Sequence, residues 1–307
     1  MIYNEPEVFI QWLFTGDKKY AEPFFDDTIA FCRRLPQNRH PFKSLSTMDA
    51  MVASAKNIDS LPPSAIIFHV SRCGSTLLSQ LLSCDPHNKV LSEVPFFDEI
   101  LRLPFTNKKY TLSISACLQS AVLFYGQKED ALNNRLFIKT DSWHLHFYDQ
   151  LRDLYPGIPF IILYRHPYDV FLSQKKQRGL QAIPGIVEPG VFNFPKNYNV
   201  LDFDIHLVNV LESYYQKCIT IMQNDPLAFS FNYEQGIMNI AKEIYAVLNV
   251  NANELIIQKW TERSLFHAKR PKEIFEEETS KIGMPSLLDP VFKYYKELNL
   301  LNRLNLE

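Results

Sequence analysis

The chain has 307 residues and 46% of them are hydrophobic, so it is long enough and apolar enough to bury a large core. Its formal net charge of −2 excludes a protein that binds nucleic acid through an overall positive charge, although a local basic pocket is compatible with it. The five cysteines are scattered, without a C-x-x-C pair or a metal-ligand spacing, which favours a reduced, cytoplasmic protein over a disulfide framework. The sequence predicts neither a signal peptide nor a membrane span, because the first residues lack a basic flank and no apolar run approaches about 18 residues.

The order of apolar patterns along the chain predicts an α/β fold. Residues 1–60 show helical spacing in PEVFIQWLF and FDDTIAFCRRL and no strand signal, so we expect a helical N-terminal segment there. After the Leu-Pro-Pro at 61–63, short apolar runs alternate with helical patterns, which predicts a parallel sheet covered by helices on both faces. The predicted strands are SAIIFHV, KVLS, RLFIKT, IPFIILY and LAFSFN.

Two further segments flank or follow these strands. The stretch at 181–200 is rich in Pro, Gly and Asn, and we expect a loop over the functional face of the sheet there. The part of the chain from residue 236 to residue 307 is predicted to be mainly helical.

The stretch SRCGST follows the first predicted strand of the sheet and leads into a helical pattern. A strand, a tight turn at Gly74 and a helix beginning at Ser75 or Thr76 form an anion site, because backbone N–H groups and the positive helix end point at the ligand. Compared with the phosphate-loop pattern G-x-x-x-x-G-K-[ST], Thr76 occupies the Ser/Thr position but Ser75 replaces the lysine. The loop therefore suits a phosphate better than a magnesium-bound nucleoside triphosphate. The alternative is a buried strand–turn–helix without a ligand.

A second candidate anion site occurs in FIILYRHPYDVFLSQ. Arg165 follows a predicted strand, Pro167 opens a helix, and Ser173 lies about two turns into that helix. Ligands of open α/β sheets bind at the carboxyl ends of the strands, so the guanidinium and the hydroxyl are placed to hold a phosphate. The alternative is an exposed i,i+4 ion pair between Arg165 and Asp169.

Together, SRCGST and YRHPYDVFLS resemble the sulfotransferases that use 3′-phosphoadenosine-5′-phosphosulfate (PAPS), over about residues 64–235. The resemblance is closest to the branch that includes tyrosylprotein sulfotransferases, which also have arginine before the loop glycine. It implies that Arg165 and Ser173 hold the 3′-phosphate and that no metal is required. The 5′-phosphosulfate is then held by the loop residues Arg72, Cys73, Gly74, Ser75 and Thr76.

Sulfuryl transfer needs a base for the acceptor's proton and cations where charge develops. Glu93 follows the predicted strand KVLS, 21 residues after Arg72, and the resembling branch places its glutamate base in a similar setting. Other members of the family carry a catalytic histidine where this sequence has Asp141, and this departure supports Glu93 as the base. The alternative is a glutamate that caps the helix beginning near Val94.

The resemblance also implies roles for residues at later strand ends. Lys139 ends RLFIKT, where the branch has a lysine that stabilises the transferring group together with Arg72; the alternative is a surface lysine. Tyr233 follows the last predicted strand and is expected near the adenine, or else in the core. Lys269 and Arg270 are candidates for the basic element that completes the 3′-phosphate site, although the expected glycine is absent.

The sequence thus predicts one domain over residues 1–307, with a helical segment at 1–60, a nucleotide-binding core at 64–235 and a helical part at 236–307. The fold is a P-loop-type parallel sheet of about five strands flanked by helices. The predicted activity is that of a cytoplasmic sulfotransferase that moves a sulfuryl group from PAPS to a hydroxyl or amine of a small metabolite or natural product. The alternatives are a P-loop kinase, which would need the loop lysine and a magnesium-binding aspartate, and a non-catalytic nucleotide-binding protein. The acceptor and the oligomeric state are not indicated by the sequence.

Overall fold

The computed structural model describes residues 1–4, 7–20, 22–268 and 283–304 of the protein. Within these ranges the central element is a parallel sheet of five strands in the order β5-β6-β4-β7-β8. The predicted α/β class and the five predicted strands are therefore confirmed. The strands of this sheet are β4 (Pro63–His69), β5 (Asn88–Ser92), β6 (Arg135–Lys139), β7 (Phe160–Tyr164) and β8 (Ala228–Asn232).

The sheet forms because the strands are mainly apolar and most of their residues, on both faces, are buried. Every residue of β5 and β7 is buried, and so is every residue of β4 except Ser64. The chain leaves β4 toward β5 on one side and later passes to β7 on the other side, so β4 lies at the switch point of the topology. Ligands of open α/β sheets bind outside the carboxyl ends of the strands at such a point.

Helices cover the sheet and connect its strands. Helix α3 begins at Ser75, as predicted, and α7 begins at Pro167 directly after β7. None of the described helices combines the length and apolar character needed to cross a bilayer. The helices are α1 (Phe25–Cys32), α2 (Met48–Ala55), α3 (Ser75–Ser83), α4 (Pro95–Thr106), α5 (Ile114–Tyr125), α6 (Tyr148–Leu154), α7 (Pro167–Lys176), α8 (Phe203–Asn224), α9 (Ile237–Val247), α10 (Glu254–Ser264) and α11 (Asp289–Leu304).

The N-terminal segment differs from the prediction, because it contains a small antiparallel sheet as well as helices. Its strands are β1 (Ile2–Asn4), β2 (Glu7–Gln11) and β3 (Leu45–Thr47), with β2 in the middle. The helical interpretation of PEVFIQWLF was wrong because the buried positions alternate with period two: Val8 and Ile10 are buried between more exposed neighbours. Strand β2 also pairs with β3 far along the chain, a contact that local spacing does not reveal. The helix predicted in FDDTIAFCRRL is present as α1.

The segment predicted as a loop at 181–200 contains only short 3-10 turns, Leu180–Ala182 and Pro189–Phe192. It is well packed, since Val187, Val191 and Phe192 are buried. This anchored loop contributes one wall of the site described next.

Candidate active site

A cleft of about 1240 Å³ opens at the carboxyl ends of the parallel strands. Most of the predicted site residues line it together, although they come from five separate stretches of the chain. Lys139 lies directly behind this lining, while Lys269 and Arg270 lie outside the described residues. The predicted residues that line the cleft are Arg72, Cys73, Gly74, Ser75, Thr76, Glu93, Arg165, Ser173 and Tyr233.

The loop between β4 and α3 is held in an unusual backbone conformation. Ser71, Arg72 and Gly74 have φ angles of 67°, 51° and 80°, in the left-handed region that favours glycine. At Gly74 a Cβ atom would also lie 2.6 Å from the ring of Tyr233, so the position requires glycine for both conformation and space. The turn brings the N-terminus of α3 to the cleft, where its backbone N–H groups and dipole favour an anion.

Arg72 and Cys73 face different surroundings within this loop. The guanidinium of Arg72 lines the cleft and donates to the carbonyl oxygen of Gln177, which follows α7. Burial lowers the pKa of Arg72, and the nearby Glu93 carboxylate opposes that shift. The thiol of Cys73 points into the core, and burial raises its pKa to about 12. Cys73 can therefore contribute backbone groups to a ligand but not a thiolate.

Glu93 and Lys139 form an ion pair at the ends of neighbouring strands. Lys139 pairs in register with Ser92, and its ammonium group donates to Glu93 Oε1. Lys139 is only 1% exposed, so the surface-lysine alternative does not describe it. Helix α4 is capped by Val94 without a side-chain hydrogen bond, so Glu93 does not cap it. The Glu93 side chain, 19% exposed, lines the cleft.

His69 is a member of this cluster that the sequence analysis missed. Its Nε2 lies 3.4 Å from Glu93 Oε1 and 3.0 Å from the carbonyl oxygen of Thr140, while its Nδ1 accepts from the Ser71 amide at 3.1 Å. Burial lowers the pKa of His69, although Glu93 opposes this shift. The neutral tautomer with a proton on Nε2 satisfies all these contacts. The available signal was a histidine at the carboxyl end of an otherwise apolar strand.

The charge state of Glu93 follows from these neighbours. Burial alone would raise the pKa of Glu93, but the Lys139 ammonium and the His69 hydrogen bond outweigh it and hold the pKa below its ordinary value. Glu93 is therefore a carboxylate at neutral pH.

At the second predicted anion site, Arg165 forms the ion pair with Asp169 and also lines the cleft. The Arg165 Nε lies 3.5 Å from Asp169 Oδ2, which is the expected i,i+4 ion pair. The same guanidinium lies 4.5 Å from the ring centroid of Tyr233 and lines the cleft with Ser173. Because Tyr233 also covers Gly74, its ring joins the two candidate anion sites.

The opposite wall of the cleft is acidic and aromatic. Asp98 accepts hydrogen bonds from Trp143 Nε1, His144 Nε2 and Arg102 Nη1. Burial, with the Glu93 and Asp98 carboxylates adding to it, raises the pKa of Asp141 well above its ordinary value. Asp98, Asp141 and His144 each place a potential metal-ligand atom within 4.8 Å of the others, but three donors already engage Asp98, which fits a hydrogen-bonded wall better than a metal site.

Comparison with known proteins adds an independent finding. Residues 63–184 match the family model described as the sulfotransferase family. The chain is similar to the sulfotransferase domain from the curacin biosynthetic pathway, at 15% identity and a TM-score of 0.48 over 78% of this chain and 99% of that chain. It is also similar to sulfotransferase STF9 from Mycobacterium avium, at 14% identity and a TM-score of 0.49 over 89% of this chain and 83% of that chain. A further similar structure is mouse sulfotransferase SULT7A1 complexed with PAP, at 13% identity and a TM-score of 0.39 over 85% of this chain and 92% of that chain. No curated protein sequence matches the chain.

The segment that matches the family model is also the segment that builds most of the cleft. It runs from β4 through α7 into the following loop, and it includes the anion loop, Glu93, Lys139, Arg165 and Ser173. The part of the chain that matches the sulfotransferase family is therefore the part that carries most of the candidate site.

Proposed function

We propose that the protein transfers a sulfuryl group from PAPS to a hydroxyl or amine of a small acceptor molecule. One observation carries this proposal: the loop at 72–76, the pair Arg165 and Ser173, and the ion pair of Glu93 with Lys139 meet at one cleft. A kinase would need a lysine in the loop, and the loop has Ser75 at that position. A pure binding protein would have no use for a buried ion pair whose carboxylate faces the ligand space.

The residues of the cleft fit the donor. Arg72, Ser75 and Thr76 with the α3 N-terminus would hold the 5′-phosphosulfate, and Gly74 allows the ring of Tyr233 to pack against the loop. The 3′-phosphate would meet Arg165 and Ser173, with Tyr233 beside the adenine. Cys73 would contribute its backbone only, while Lys269 and Arg270 remain sequence predictions for the same phosphate. When bound, PAPS supplies an activated sulfuryl group and requires no metal.

Within this arrangement Glu93 is the proposed base. Its ionised carboxylate is ready to accept the acceptor's proton, but the low pKa set by Lys139 and His69 makes it a weak base while the lysine is fully engaged. Lys139 and Arg72 are the proposed stabilisers of the charge that develops on the transferring group. When Lys139 also interacts with the charge on the transferring group, its interaction with the Glu93 carboxylate becomes weaker. The proton affinity of Glu93 therefore rises at the step in which the acceptor's proton is transferred.

An arginine in the loop and a glutamate as base are the combination found in the branch that includes tyrosylprotein sulfotransferases. We propose the same catalytic residues for this protein, but not the same acceptor. All five cysteines are free, which supports a reduced, cytoplasmic environment. The acceptor side of the cleft is lined by Phe24, Trp143, Asp98 and Asp141. We propose a small metabolite or natural product as the acceptor at this acidic and aromatic wall.

Nucleotide binding without metal tests the proposal directly. Calorimetry in the presence of a chelator should show that 3′-phosphoadenosine-5′-phosphate (PAP) binds about 10-fold or more tightly than AMP, because a charge-assisted phosphate contact is added. A transfer assay with PAPS and a panel of small phenols, alcohols and amines should then show metal-independent turnover. Binding of ATP that requires Mg²⁺, with no preference for PAP, would favour the kinase alternative instead.

A further inference from the structure

Ser71 lies at the centre of a buried hydrogen-bond network that the mechanism above does not use. Its amide donates to His69 Nδ1 at 3.1 Å. Its hydroxyl oxygen accepts from Gln174 Nε2 at 2.9 Å and from Gln181 Nε2 at 3.0 Å. Gln174 and Gln181 are buried, at 0% and 4% exposure, and Ser71 is buried at 9%; Ser71 and Gln181 belong to the cleft lining, whereas Gln174 lies behind it.

The orientation of the Gln174 amide is set by its surroundings. Gln174 Oε1 accepts from the Gly179 amide at 2.7 Å, so the nitrogen end of the side chain must face Ser71. The main chain of Gln181 is also held in place, because its backbone carbonyl oxygen accepts from His206 Nε2 at 3.1 Å. The side-chain N–H groups of Gln174 and Gln181 both donate to the one hydroxyl oxygen of Ser71.

A serine hydroxyl offers one donor and two acceptor positions. Gln174 and Gln181 fill both acceptor positions, so the proton can only be donated elsewhere. Among residues 1–4, 7–20, 22–268 and 283–304, no hydrogen bond donated by Ser71 Oγ is found. The side of Ser71 that remains is the cleft, beside Arg72.

We propose that Ser71 is a further donor-site residue whose hydroxyl donates to an anionic oxygen of the 5′-phosphosulfate; this inference rests on the proposed function. The two glutamines make the hydroxyl an obligate donor, so it is oriented before the ligand arrives. A preoriented donor suits an anionic oxygen, which only accepts, and disfavours an N–H group at the same position. The backbone at Ser71 is left-handed, with φ of 67°, and the residue is 9% exposed at the cleft.

Two ligands and two variants test the inference. Adenosine 3′-phosphate lacks the 5′ group that PAP carries, so calorimetry with both separates contacts at that end. Ser71→Ala should weaken PAP binding about 10- to 100-fold, the range for a charge-assisted hydrogen bond, and change adenosine 3′-phosphate binding by less than about twofold. Gln174→Leu is the matched control, because Gln174 does not line the cleft and its loss breaks one of the same internal hydrogen bonds but keeps the hydroxyl; it should weaken PAP binding much less than Ser71→Ala.

Two results would overturn the inference. The first is PAP affinity of Ser71→Ala within about twofold of the wild type. The second is an equal loss in Ser71→Ala and Gln174→Leu, which would assign Ser71 to holding the glutamines only. If Ser71→Ala does not fold, Ser71→Cys fills the same place with a weak donor and gives the same comparison. Failure of the proposed function looks different: the wild-type protein itself would then show no preference for PAP over AMP.

Discussion

The two halves of the cleft, which on the proposed function are a donor half and an acceptor half, are built in different ways. The donor half consists of the turns that follow β4 and β7, two strands paired in register from Ile66 with Phe160 to His69 with Leu163. The acceptor half is assembled from the segment before α1, the turn after β6 and the loop after α7, which contribute Phe24, Trp143 and Leu180. The first half follows from the sheet itself, whereas the second depends on distant parts of the chain.

The two halves also differ in charge. Arg72, Arg165 and Lys176 line the donor side, while Asp98 and Asp141 line the other side with Trp143. Glu93 lies between them with its buried lysine. The anion site thus follows mainly from the turns at the strand ends. On the proposed function, the choice of acceptor depends on segments that similarity of fold does not define.

The largest expected effect comes from the residue between the halves. Glu93→Gln keeps the shape of the side chain but cannot accept the proton, so turnover should fall by about 10²–10⁴. It also leaves Lys139 buried without a carboxylate, and breaking a buried pair costs up to about 3–5 kcal/mol of unfolding free energy, less here because Glu93 retains partial exposure. We therefore expect lower stability and lost turnover together, measured by urea unfolding and by kcat.

A matched control separates these two effects. Lys89 and Glu129 form another ion pair of a strand lysine, with the Nζ and Oε1 atoms 2.9 Å apart and Lys89 equally buried, but neither residue lines the cleft. Glu129→Gln should lose stability and keep its kcat. If Glu93→Gln retains wild-type turnover, the base assignment fails, and Asp141 becomes the next candidate.

Removing the lysine should produce the next largest effect. Lys139→Met deletes a cation expected to stabilise the transition state, so kcat should fall about 10²–10³-fold with a smaller change in PAP affinity. The pKa of Glu93 should rise in this variant because its main counter-charge is gone, which moves the acidic limb of the pH–rate profile to higher pH. Lys89→Met is the control for the loss of a buried ion pair. Equal kcat in Lys139→Met and the wild type would assign Lys139 to folding alone.

A moderate effect is expected within the donor half, at Arg165. Arg165→Ala should weaken PAP binding about 10- to 100-fold and leave AMP binding nearly unchanged, because only PAP carries the 3′-phosphate. Asp169→Asn tests the alternative role, since it removes the ion pair but keeps the arginine. This second variant should bind PAP as tightly as the wild type or more tightly. A loss of PAP affinity in Asp169→Asn equal to that in Arg165→Ala would show that the ion pair, not the phosphate contact, is what matters.

The contrast between the halves also explains what the sequence predicted. The five parallel strands were predictable because each is a short apolar run, and the anion loop because Gly74 stands between a strand and a helix. Glu93 and Lys139 were recognisable as polar residues at strand ends. Their contact was not, because it depends on the register between β5 and β6.

Other features were missed for the same physical reason. The strand Glu7–Gln11 is stabilised by pairing with Leu45–Thr47, a distant partner. Gln174 and Gln181 looked like ordinary polar residues of a helix and a loop, and only the fold brings both to Ser71. Trp143 likewise reaches Asp98 from 45 residues away, so residues of the acceptor half carry a weak sequence signal.

The smallest expected effect concerns the acidic wall and is a change of stability with pH. Burial beside Glu93 and Asp98 raises the folded-state pKa of Asp141 above its ordinary value of 3.8. The folded protein therefore holds this proton more tightly than the unfolded chain, so the stabilising contribution of Asp141 is fully present below about pH 3.8 and is lost as pH rises through the folded pKa. Asp141→Asn cannot ionise, so its unfolding free energy should increase relative to that of the wild type as pH rises from about 4 toward neutrality. The opposite pH dependence of Glu93 is present in both proteins and cancels in the difference. Urea unfolding at a series of pH values measures that difference, and a difference that does not change with pH would show that Asp141 is ionised in the folded protein as it is in the unfolded chain.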